Sequence, residues 1–366
     1  MNFPVLLLSV DYDPHASAIA WALRHNNVSY RLNPSLRVNE KTRLSIHVNS
    51  IADSVSLDEI SGGGIRSIWH RRPRLPVADH CLEADRSFIE GQWRCFQKGV
   101  FDAAENLLNT LWVNRPRAAD YSESKLVQLQ AARASGLLIP ETIISNHSPD
   151  VAQLISRWGR VVFKTFYPQS WDDISKGITY QMSVAMLDAA TELPDQAIAM
   201  SPGIYQRYIN KSCDVRVTII GSKTFSIEMK KASGGAYFDW RPHSHDHGML
   251  VEKIDISPIL ETKLRDMMRR LGIVFGCIDL VVDQHNNIYF LEINQAGQFL
   301  FVEELVPELQ TLRAMTAMLS VGCINYSIND SVEVRLKDYL ESDEYREIGS
   351  KCRDNGNHIA KEELGP

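Results

Sequence analysis

Residues 276–301 read GCIDLVVDQHNNIYFLEINQAGQFLF and decide the fold. Two segments rich in β-branched and aromatic residues, CIDLVVD and IYFLEIN, flank the polar sequence QHNN, which predicts a β-hairpin. Alternate side chains of a strand share one face, so Glu292 and Asn294 point the same way. If Asp279 lies opposite them on the first strand, three oxygen-bearing side chains converge.

Such a convergence of carboxylates needs compensation. A buried carboxylate pair is costly unless a cation or hydrogen bonds offset its charge. Mg²⁺ prefers hard oxygen ligands, and it combines one or two carboxylates with waters and nucleotide phosphates. The hairpin therefore indicates a magnesium site made of Asp279, Glu292 and Asn294. The alternative, from these residues alone, is an edge hairpin whose polar face meets solvent, since antiparallel sheets often keep one wet face.

The composition is that of an ordinary globular protein. The 366 residues are 44% hydrophobic and 23% charged, which predicts two or three domains or subdomains. A net charge of -6 gives no overall attraction to nucleic acid or to an anionic membrane. The six cysteines show no CxxC spacing, so neither a zinc ribbon nor a disulfide framework is indicated. Because FPVLLLSV is too short for a membrane span and lacks the basic start of a signal peptide, we expect a soluble cytoplasmic protein.

The beginning of the chain predicts an α/β unit. A strand (VLLLSV), a loop (DYDPHA), a helix (SAIAWALRHN) and a second strand (VSYRLN) follow one another. A longer helix is predicted in SFIEGQWRCFQKGVFDAAENLL. We predict an N-terminal α/β domain at 1–118, a subdomain with two lysines of interest at 119–205, a subdomain with the terminal hairpin at 206–325, and a peripheral charged tail at 326–366.

Two lysines of the second segment are candidate phosphate ligands. Lys125 falls in the first turn of a helix that Ser122 is expected to cap, where a cation opposes the helix dipole unless a negative group is near. Lys164 lies inside the apolar strand VVFKTF, where a charge is either at a strand edge or facing an anion. Each lysine alone fits a solvated surface residue. Together with the polar loop YPQSWDDISKGI after Lys164, they could surround phosphates.

The third segment predicts a second hairpin and a helix. The sequence CDVRVTIIGSKTFSIEMKK is expected to turn at Gly221, and a helix is expected at about 258–271. Between them, His243, His245 and His247 alternate in RPHSHDH. Pro, Ser, Asp and Gly neighbours favour a loop there over a zinc-binding strand, and the role of these histidines stays open.

The order of these features resembles the ATP-grasp superfamily over residues 119–325. The matching features are a lysine before a helix ending in GLLIPET, a lysine in VVFKTF, the strand YQRYI, the segment CDVRVTIIG, and D…E-x-N in a terminal hairpin. The resemblance implies a fold of the α/β and α+β class, in which ATP lies between two α+β subdomains and an N-terminal pre-ATP-grasp domain precedes them. It implies phosphate contacts from Lys125 and Lys164, adenine contacts from the backbone of Gln206, Arg207, Tyr208 and Ile209, and Mg²⁺ held by Asp279, Glu292 and Asn294.

Within that superfamily the chain is most similar to the microviridin-type maturases, the graspetide synthetases. The motifs IWHRRP, YFDWR and EINQAGQFLFVEE carry this similarity, the family forms being close to WYRRP, DWR and EiNpnGqwlwie. His70 replaces a tyrosine, and Gln295 and Ala296 replace Pro-Asn. The resemblance implies a ribosomal precursor peptide, with leader and core, as substrate. For Arg71 and Arg72 we expect a structural or peptide-docking role.

The resemblance also implies a reaction. ATP phosphorylates a side-chain Asp or Glu of the precursor, and a Ser/Thr hydroxyl or a Lys amine then closes a macrocyclic ester or amide, a choice that the sequence leaves open. Arg216 and Arg241 are the implied cations between acceptor and γ-phosphate, because a guanidinium matches both groups. The alternative for Arg216 is a structural salt bridge to a neighbour such as Asp214 or Glu228, and for Arg241 an exposed loop position.

Two other functions remain open from the sequence. One is an amide ligase that joins an amino acid or small acid to an amine, as glutamate ligases do. The other is a non-catalytic module that binds ATP or a peptide. The motifs IWHRRP and DWR favour a maturase over the first, and the full set of metal-type residues and lysines favours an enzyme over the second. The oligomeric state cannot be read, although a homodimer would fit the family.

Overall fold

Four β-sheets and eleven α-helices form the part of the chain that the computed structural model describes. That part comprises residues 3–33, 44–51, 53–57, 60–61, 64–73, 76–78, 81–107, 110–173, 176, 178–191, 194–233 and 248–354. None of the helices within it is long and apolar enough to cross a membrane.

The N-terminal region holds a parallel sheet of four strands and a small antiparallel sheet. Its elements are β1 (Val5–Leu8), α1 (Pro14–His25), β2 (Tyr30–Leu32), β3 (Leu44–Val48), β4 (Asp53–Leu57), β5 (Ile60–Ser61), β6 (Ser67–His70), α2 (Glu83–Leu107) and β7 (Leu111–Val113). The parallel sheet has the order β2-β1-β6-β7, and β3-β4-β5 form the other sheet. Every residue of β1 and β6 is buried, as expected for parallel strands covered on both faces. The predicted α/β unit is confirmed.

The middle region forms an antiparallel sheet with the order β10-β9-β11-β8. Its elements are α3 (Pro116–Glu123), α4 (Lys125–Ala134), β8 (Thr142–Ser145), α5 (Ser148–Trp158), β9 (Arg160–Asp173), β10 (Ile178–Asp188), α6 (Asp195–Met200) and β11 (Gly203–Arg207).

Two predictions for this region were wrong in detail. Ser122 does not cap the helix of Lys125, because it lies inside α3 and its hydroxyl donates to the carbonyl of Ala119 at 2.9 Å. The polar stretch after Lys164 is not one long loop, because β9 continues through it to Asp173 by pairing with β10. Only residues 174–177 remain between the strands, and all but one of them lie outside the described residues.

The C-terminal region forms an antiparallel sheet with the order β14-β13-β12-β15-β16. Its elements are β12 (Lys211–Ile220), β13 (Lys223–Lys231), β14 (Met249–Lys253), α7 (Pro258–Leu271), β15 (Phe275–Asp283), β16 (Ile288–Asn294), α8 (Leu300–Leu305), α9 (Thr311–Val321), α10 (Leu336–Leu340) and α11 (Asp343–Asp354). Both predicted hairpins and the predicted helix at 258–271 are confirmed.

The five-stranded sheet has a different partner on each face. On one face, Val217 of β12 and Ile278 of β15 pack with Leu264 of α7 in one hydrophobic cluster. On the other face, Phe275 and Ile227 share a cluster with residues of the N-terminal unit and of α8, α9 and α10. Arg216 and Asp279 are the strand neighbours of Val217 and Ile278, so their side chains point to the opposite face, which meets the N-terminal unit.

The start of the expected tail belongs to the core. Leu336 and Tyr339 of α10 are fully buried in the cluster that joins the N-terminal unit to the five-stranded sheet. The ring of Tyr339 lies 5.7 Å from that of Trp21 on α1. Residues 336–340 are thus not peripheral, while the other domain boundaries stay predictions.

Candidate active site

The terminal hairpin places two carboxylates opposite each other. Asp279 of β15 and Glu292 of β16 are direct partners in the register, and the alternation shared by Glu292 and Asn294 is confirmed. A β-bulge follows Asp279, which reverses the alternation along β16. As a result Phe290 and Ile293 both pack in the cluster with α7, while Glu292 faces the other side.

Arg216 lies on β12, on the same face of the five-stranded sheet as the two carboxylates. It is the register partner of Asp279 on β12, and its Nη1 donates to Asp279 Oδ1 at 2.5 Å. Its Nη2 donates to the carbonyl of Gln298 at 2.8 Å. The residue is 6% exposed, and within the described residues its Nε has no hydrogen-bond partner. Burial by itself lowers the pKa of Arg216, but the charges of Asp279, Cys277 and Glu292 and the hydrogen bond to Asp279 together raise it, so the guanidinium is charged.

The carboxylate that pairs with Arg216 is not one of those named by the alternative interpretation. Asp214 is paired with Lys211 at 2.7 Å, and Glu228 lies beside Lys230 and accepts from the Cys213 thiol. Arg216 instead binds one of the carboxylates of the candidate metal site. Arg216 thus does form a buried ion pair with a neighbour, as that alternative expects, but its partner is Asp279.

Lys125 closes the other side of the carboxylate pair. It is the first residue of α4, and its Nζ lies 2.6 Å from Glu292 Oε2. Glu292 is thus the negative group that a cation in the first helical turn needs. The amide of Asn294 donates to Glu292 Oε1 at 3.3 Å.

Gln128 attaches α4 to the hairpin, a role for which the sequence gives no signal. Its side-chain Nε2 donates to the carbonyl of Ile293 at 2.8 Å, and its Oε1 accepts from the amide of Ile293 at 3.1 Å. The side chain is buried and bonds the backbone of β16 as a neighbouring strand would. Gln128 therefore holds α4, which carries Lys125, against β16, which carries Glu292.

The second predicted lysine lies on the four-stranded antiparallel sheet. Lys164 Nζ donates to Gln206 Oε1 at 3.0 Å, and Gln206 Nε2 donates to Thr142 Oγ1 at 2.9 Å. The sequence suggested only a backbone role for Gln206, but its side chain orients Lys164. The amides of Arg207 and Tyr208 donate to the carbonyls of residues 141 and 160, so these two amides are already used within the fold.

The residues present fit a magnesium ion that is completed by phosphates. Asp279, Glu292 and Asn294 offer two carboxylates and an amide, which are hard oxygen donors. Among the residues that the structure describes, no group of three or more His, Cys, Asp or Glu side chains could hold a metal by itself. A site shared with nucleotide phosphates needs fewer protein ligands. The remaining predicted residues, Arg241 and the histidines of RPHSHDH, lie outside the described residues.

Solved structures share this architecture although no protein-family model matches the chain and no curated protein matches it significantly. A RiPP-associated ATP-grasp ligase of Chryseobacterium gregarium, in complex with ADP and a leader and core peptide, is 18% identical with a TM-score of 0.74, over 87% of this chain and 96% of its own. The macrocyclase MdnC of Microcystis aeruginosa MRC, bound with precursor peptide MdnA, is 19% identical with a TM-score of 0.70, over 86% and 98%. The ATP-grasp ligase PsnB, complexed with a precursor variant, Mg and ADP, is 18% identical with a TM-score of 0.67, over 87% and 98%.

The chain has the ATP-grasp fold. The predicted fold class, with its N-terminal α/β unit, is confirmed by these likenesses, each of which covers nearly the full length of the other protein. In this ATP-grasp fold the carboxylate pair and Arg216 occupy the face of the five-stranded sheet that meets the N-terminal unit.

A second buried arginine reaches the ATP-grasp region from the N-terminal unit. Arg71 is 2% exposed; its Nε donates to Asp13 Oδ2 at 2.8 Å, and its Nη1 donates to the carbonyls of Ala296 and Gly297 at 2.9 and 3.0 Å. Burial tends to raise the pKa of Asp13, but the charge of Arg71, together with His15 and the hydrogen bonds from Ser9 and Ala16, holds the pKa well below its usual range. The neighbouring Arg72 is exposed. The sequence predicted one role for both arginines, but the structure separates them, since Arg71 is buried and Arg72 is exposed.

Proposed function

We propose that this protein is an ATP-dependent carboxylate ligase of the graspetide-synthetase type, acting on the leader and core of a ribosomal precursor peptide. The observation that carries the proposal is Arg216, which is buried and charged beside the paired carboxylates Asp279 and Glu292, and whose Nε has no hydrogen-bond partner among the residues that the structure describes. A purely structural buried arginine normally satisfies its donors. The ADP and the precursor peptides in solved structures of the same fold support the same assignment.

We assign the nucleotide contacts as follows. Lys125 and Lys164 bind phosphates, and the backbone of 206–209 meets the adenine. Asp279, Glu292 and Asn294 would hold Mg²⁺, which would supply positive charge to offset that of the phosphates. Lys125 already neutralises part of the charge of Glu292 at 2.6 Å, so the protein lowers the repulsion that an incoming phosphate meets.

The acceptor carboxylate and the γ-phosphate repel each other, and Arg216 and Arg241 offset that repulsion. In the first step a carboxylate oxygen of the peptide forms a bond to the γ-phosphorus, the bond from that phosphorus to ADP breaks, and an acyl phosphate results. In the second step a Ser/Thr hydroxyl or a Lys amine attacks the acyl carbon, loses its proton, and displaces phosphate. The peptide loses one water per ring. A guanidinium preorganised beside the developing charge stabilises it without reorganisation.

The test is whether a peptide is the acceptor. The wild-type protein is incubated with ATP, Mg²⁺ and a small peptide encoded beside its gene, rich in Thr, Ser or Lys and in Asp or Glu, and ADP release is followed. We expect release that depends on the peptide. If free amino acids stimulate ADP release and no peptide does, a glutamate-ligase-like function replaces the proposal. If ATP binds and neither acceptor releases ADP, a non-catalytic binding module replaces it. The cytoplasm, as the compartment that supplies ATP and new peptides, remains our proposed location.

A further inference from the structure

Three consecutive backbone carbonyls after β16 are held by two buried arginines from different parts of the fold. Arg71 Nη1 binds the carbonyls of Ala296 and Gly297, and Arg216 Nη2 binds the carbonyl of Gln298 at 2.8 Å. We call residues 295–298 the carbonyl loop. It lies between a residue of the N-terminal sheet and the residue at the proposed reaction centre.

The carbonyl loop has little room to move. A side chain at Gly297 would place its Cβ 2.6 Å from Cβ of Cys277, so the backbone of the loop packs directly against β15. At the start of the loop, Asn114 donates to the carbonyl of Gln295 at 3.1 Å and to that of Phe275 at 2.9 Å. Of the three remaining carbonyls, Arg71 holds those of Ala296 and Gly297, and that of Gln298 accepts from Arg216 and, at 3.4 Å, from the Cys277 thiol.

Arg71 is itself fixed by the beginning of α1. Asp13, its ion-pair partner, accepts hydrogen bonds from the amides of His15 and Ala16 at 2.8 and 3.1 Å and from the hydroxyl of Ser9 at 2.7 Å. The carboxylate is therefore held on several sides, and it orients the guanidinium through Nε. A continuous set of bonds runs from the N-cap of α1 through Arg71 and the carbonyl loop to Arg216.

We propose that Arg71 is a positioning residue that sets the orientation of the Arg216 guanidinium through the carbonyl loop. Asp279 anchors one end of that guanidinium and the Gln298 carbonyl anchors the other, and two anchors fix the plane in which Nε lies. Without the second anchor the group rotates about its contact with Asp279, and a misdirected donor loses much of its effect on a reaction. Only the catalytic consequence rests on the proposed function, since the orientation is a property of the fold.

The geometric step is tested with Arg71→Lys. Lysine keeps a positive charge for Asp13, but one ammonium group cannot reproduce the forked contacts to a carboxylate and two carbonyls. In a crystal structure of the variant we expect the carbonyl loop to shift and the distance from Arg216 Nη2 to the Gln298 carbonyl to exceed about 3.5 Å, beyond hydrogen bonding. An unchanged loop and an unchanged Arg216 would overturn the inference.

The catalytic step is tested by a double-mutant cycle on peptide-dependent ADP release. We expect Arg71→Lys to lower kcat by about 10- to 100-fold, as the loss of an outer partner of a site residue does, with the KM for ATP changed by less than about threefold. The double variant Arg71→Lys/Arg216→Lys should be no slower than Arg216→Lys alone, because Arg71 acts only through Arg216. Losses that multiply in the double variant would overturn the inference.

Arg265 provides the matched control. It also donates to two consecutive carbonyls, those of Gly221 and Ser222 at 2.9 Å each, beside the carboxylate of Glu261. These contacts lie at the turn between β12 and β13, away from Asp279. Arg265→Lys should keep kcat within about twofold, since surface substitutions remote from a site are usually near neutral.

The two proposals fail in different ways. If the wild type turns over and Arg71→Lys does so equally well, the inference about Arg71 is overturned and the proposed function stands. If the wild type turns over no peptide, the proposed function is overturned. The crystal structure of Arg71→Lys decides the inference about Arg71 in that case.

Discussion

Two buried arginine–aspartate pairs lie on either side of the carbonyl loop, and they are used in opposite ways. Arg71 and Asp13 are 2.8 Å apart, and Arg216 and Asp279 are 2.5 Å apart. Asp13 is surrounded by backbone amides and a hydroxyl, and Arg71 spends Nη1 on two carbonyls. Asp279 instead faces a second carboxylate, that of Glu292, and Arg216 keeps one donor unpartnered within the described residues.

The difference shows why a buried ion pair alone is a poor indicator of function. Either pair could be stabilising or costly, because desolvation offsets much of the attraction. The two pairs differ in what the remaining hydrogen-bond donors of each arginine contact. We call Arg71 and Asp13 the fixing pair, because the carboxylate is capped and the arginine bridges backbone groups. We call Arg216 and Asp279 the presenting pair, because in our proposal the donor that has no partner among the described residues presents charge to a ligand.

The largest effect is expected from removing the arginine of the fixing pair. Arg71→Ala leaves Asp13 buried without its counter-ion, which should lower the free energy of unfolding by about 3–5 kcal/mol. Urea denaturation followed by tryptophan fluorescence measures it. The control Arg265→Ala, whose side chain is 33% exposed, should cost about 1 kcal/mol or less. Equal losses in the two variants would mean that the Arg71 pair has no special role in the fold.

The arginine of the presenting pair should matter to the reaction more than to nucleotide binding. We expect Arg216→Ala to lower kcat for peptide-dependent ADP release by about 100-fold or more, as the loss of one preorganised donor does. ATP affinity should change little, and Arg216→Lys should recover activity only in part. Arg241→Ala is expected to behave in the same way. Alanine variants that cyclise peptide at the wild-type rate would show that both arginines are structural.

Substitution of Lys125 and Lys164 tests whether these two lysines bind the phosphates of ATP. Lys125→Ala and Lys164→Ala should each lower turnover by about tenfold or more, because each loses a charge-assisted hydrogen bond to phosphate. Circular dichroism should show both variants folded. Lys98→Ala, on an exposed side chain, is the control and should keep full activity. If both site variants release ADP at the wild-type rate, the nucleotide binds elsewhere.

His15 should make the stability of the folded protein sensitive to acid. The ring is buried, and within the described residues neither of its nitrogens has a hydrogen-bond partner. Burial and the charges of Arg71, Arg72 and Arg216 hold its pKa well below the usual value, against the opposing charge of Asp13. Because the folded pKa is depressed, the unfolded chain takes up the proton first, and stability falls as the pH drops below about 6.5.

The matching variant is His15→Phe, which keeps a ring beside Phe299. Between pH 7.5 and pH 5, the free energy of unfolding of the wild type should fall by up to about 2 kcal/mol more than that of the variant. Unfolding in urea at the two pH values gives the difference. His70, whose pKa burial lowers to about 4, has the same sign and is present in both proteins, so it cancels. An identical loss in wild type and variant would contradict the assignment of His15.

The smallest effect concerns the metal. An ATP analogue should bind at least about tenfold more tightly with Mg²⁺ than without it, a difference of about 1.4 kcal/mol. Calorimetry in both conditions measures it, and Asp279→Asn should reduce the difference. Equal affinity with and without Mg²⁺ would contradict the assignment of Asp279, Glu292 and Asn294 as metal ligands.

Local patterns were sufficient to predict the elements that carry the site, but not the contacts that assemble it. Alternation in the terminal hairpin predicted that Glu292 and Asn294 share a face, and spacing predicted α7. The β-bulge after Asp279 has no local signature, since it depends on how the core packs around Phe290 and Ile293. Ser122 has the side chain of a helix cap, yet the preceding helix continues through it.

Contacts between distant segments could not be read from one sequence. Lys125 and Glu292 are 167 positions apart, and Arg71 and Ala296 are 225 apart. No periodicity or spacing links such residues, so the resemblance of motifs had to stand in for geometry. From that resemblance the same role was expected for Arg71 and Arg72, whereas burial separates the positioning arginine from the exposed one.

The most direct test of the account is the mass of a precursor peptide after reaction. The peptide encoded beside the gene is incubated with the protein, ATP and Mg²⁺, and its mass is compared with that from a reaction with Arg216→Ala. The account predicts the loss of one water per ring with the wild type and an unchanged mass with the variant. It is contradicted if the wild type leaves the peptide unchanged while a free amino acid drives ADP release, or if the variant removes water as fast as the wild type does.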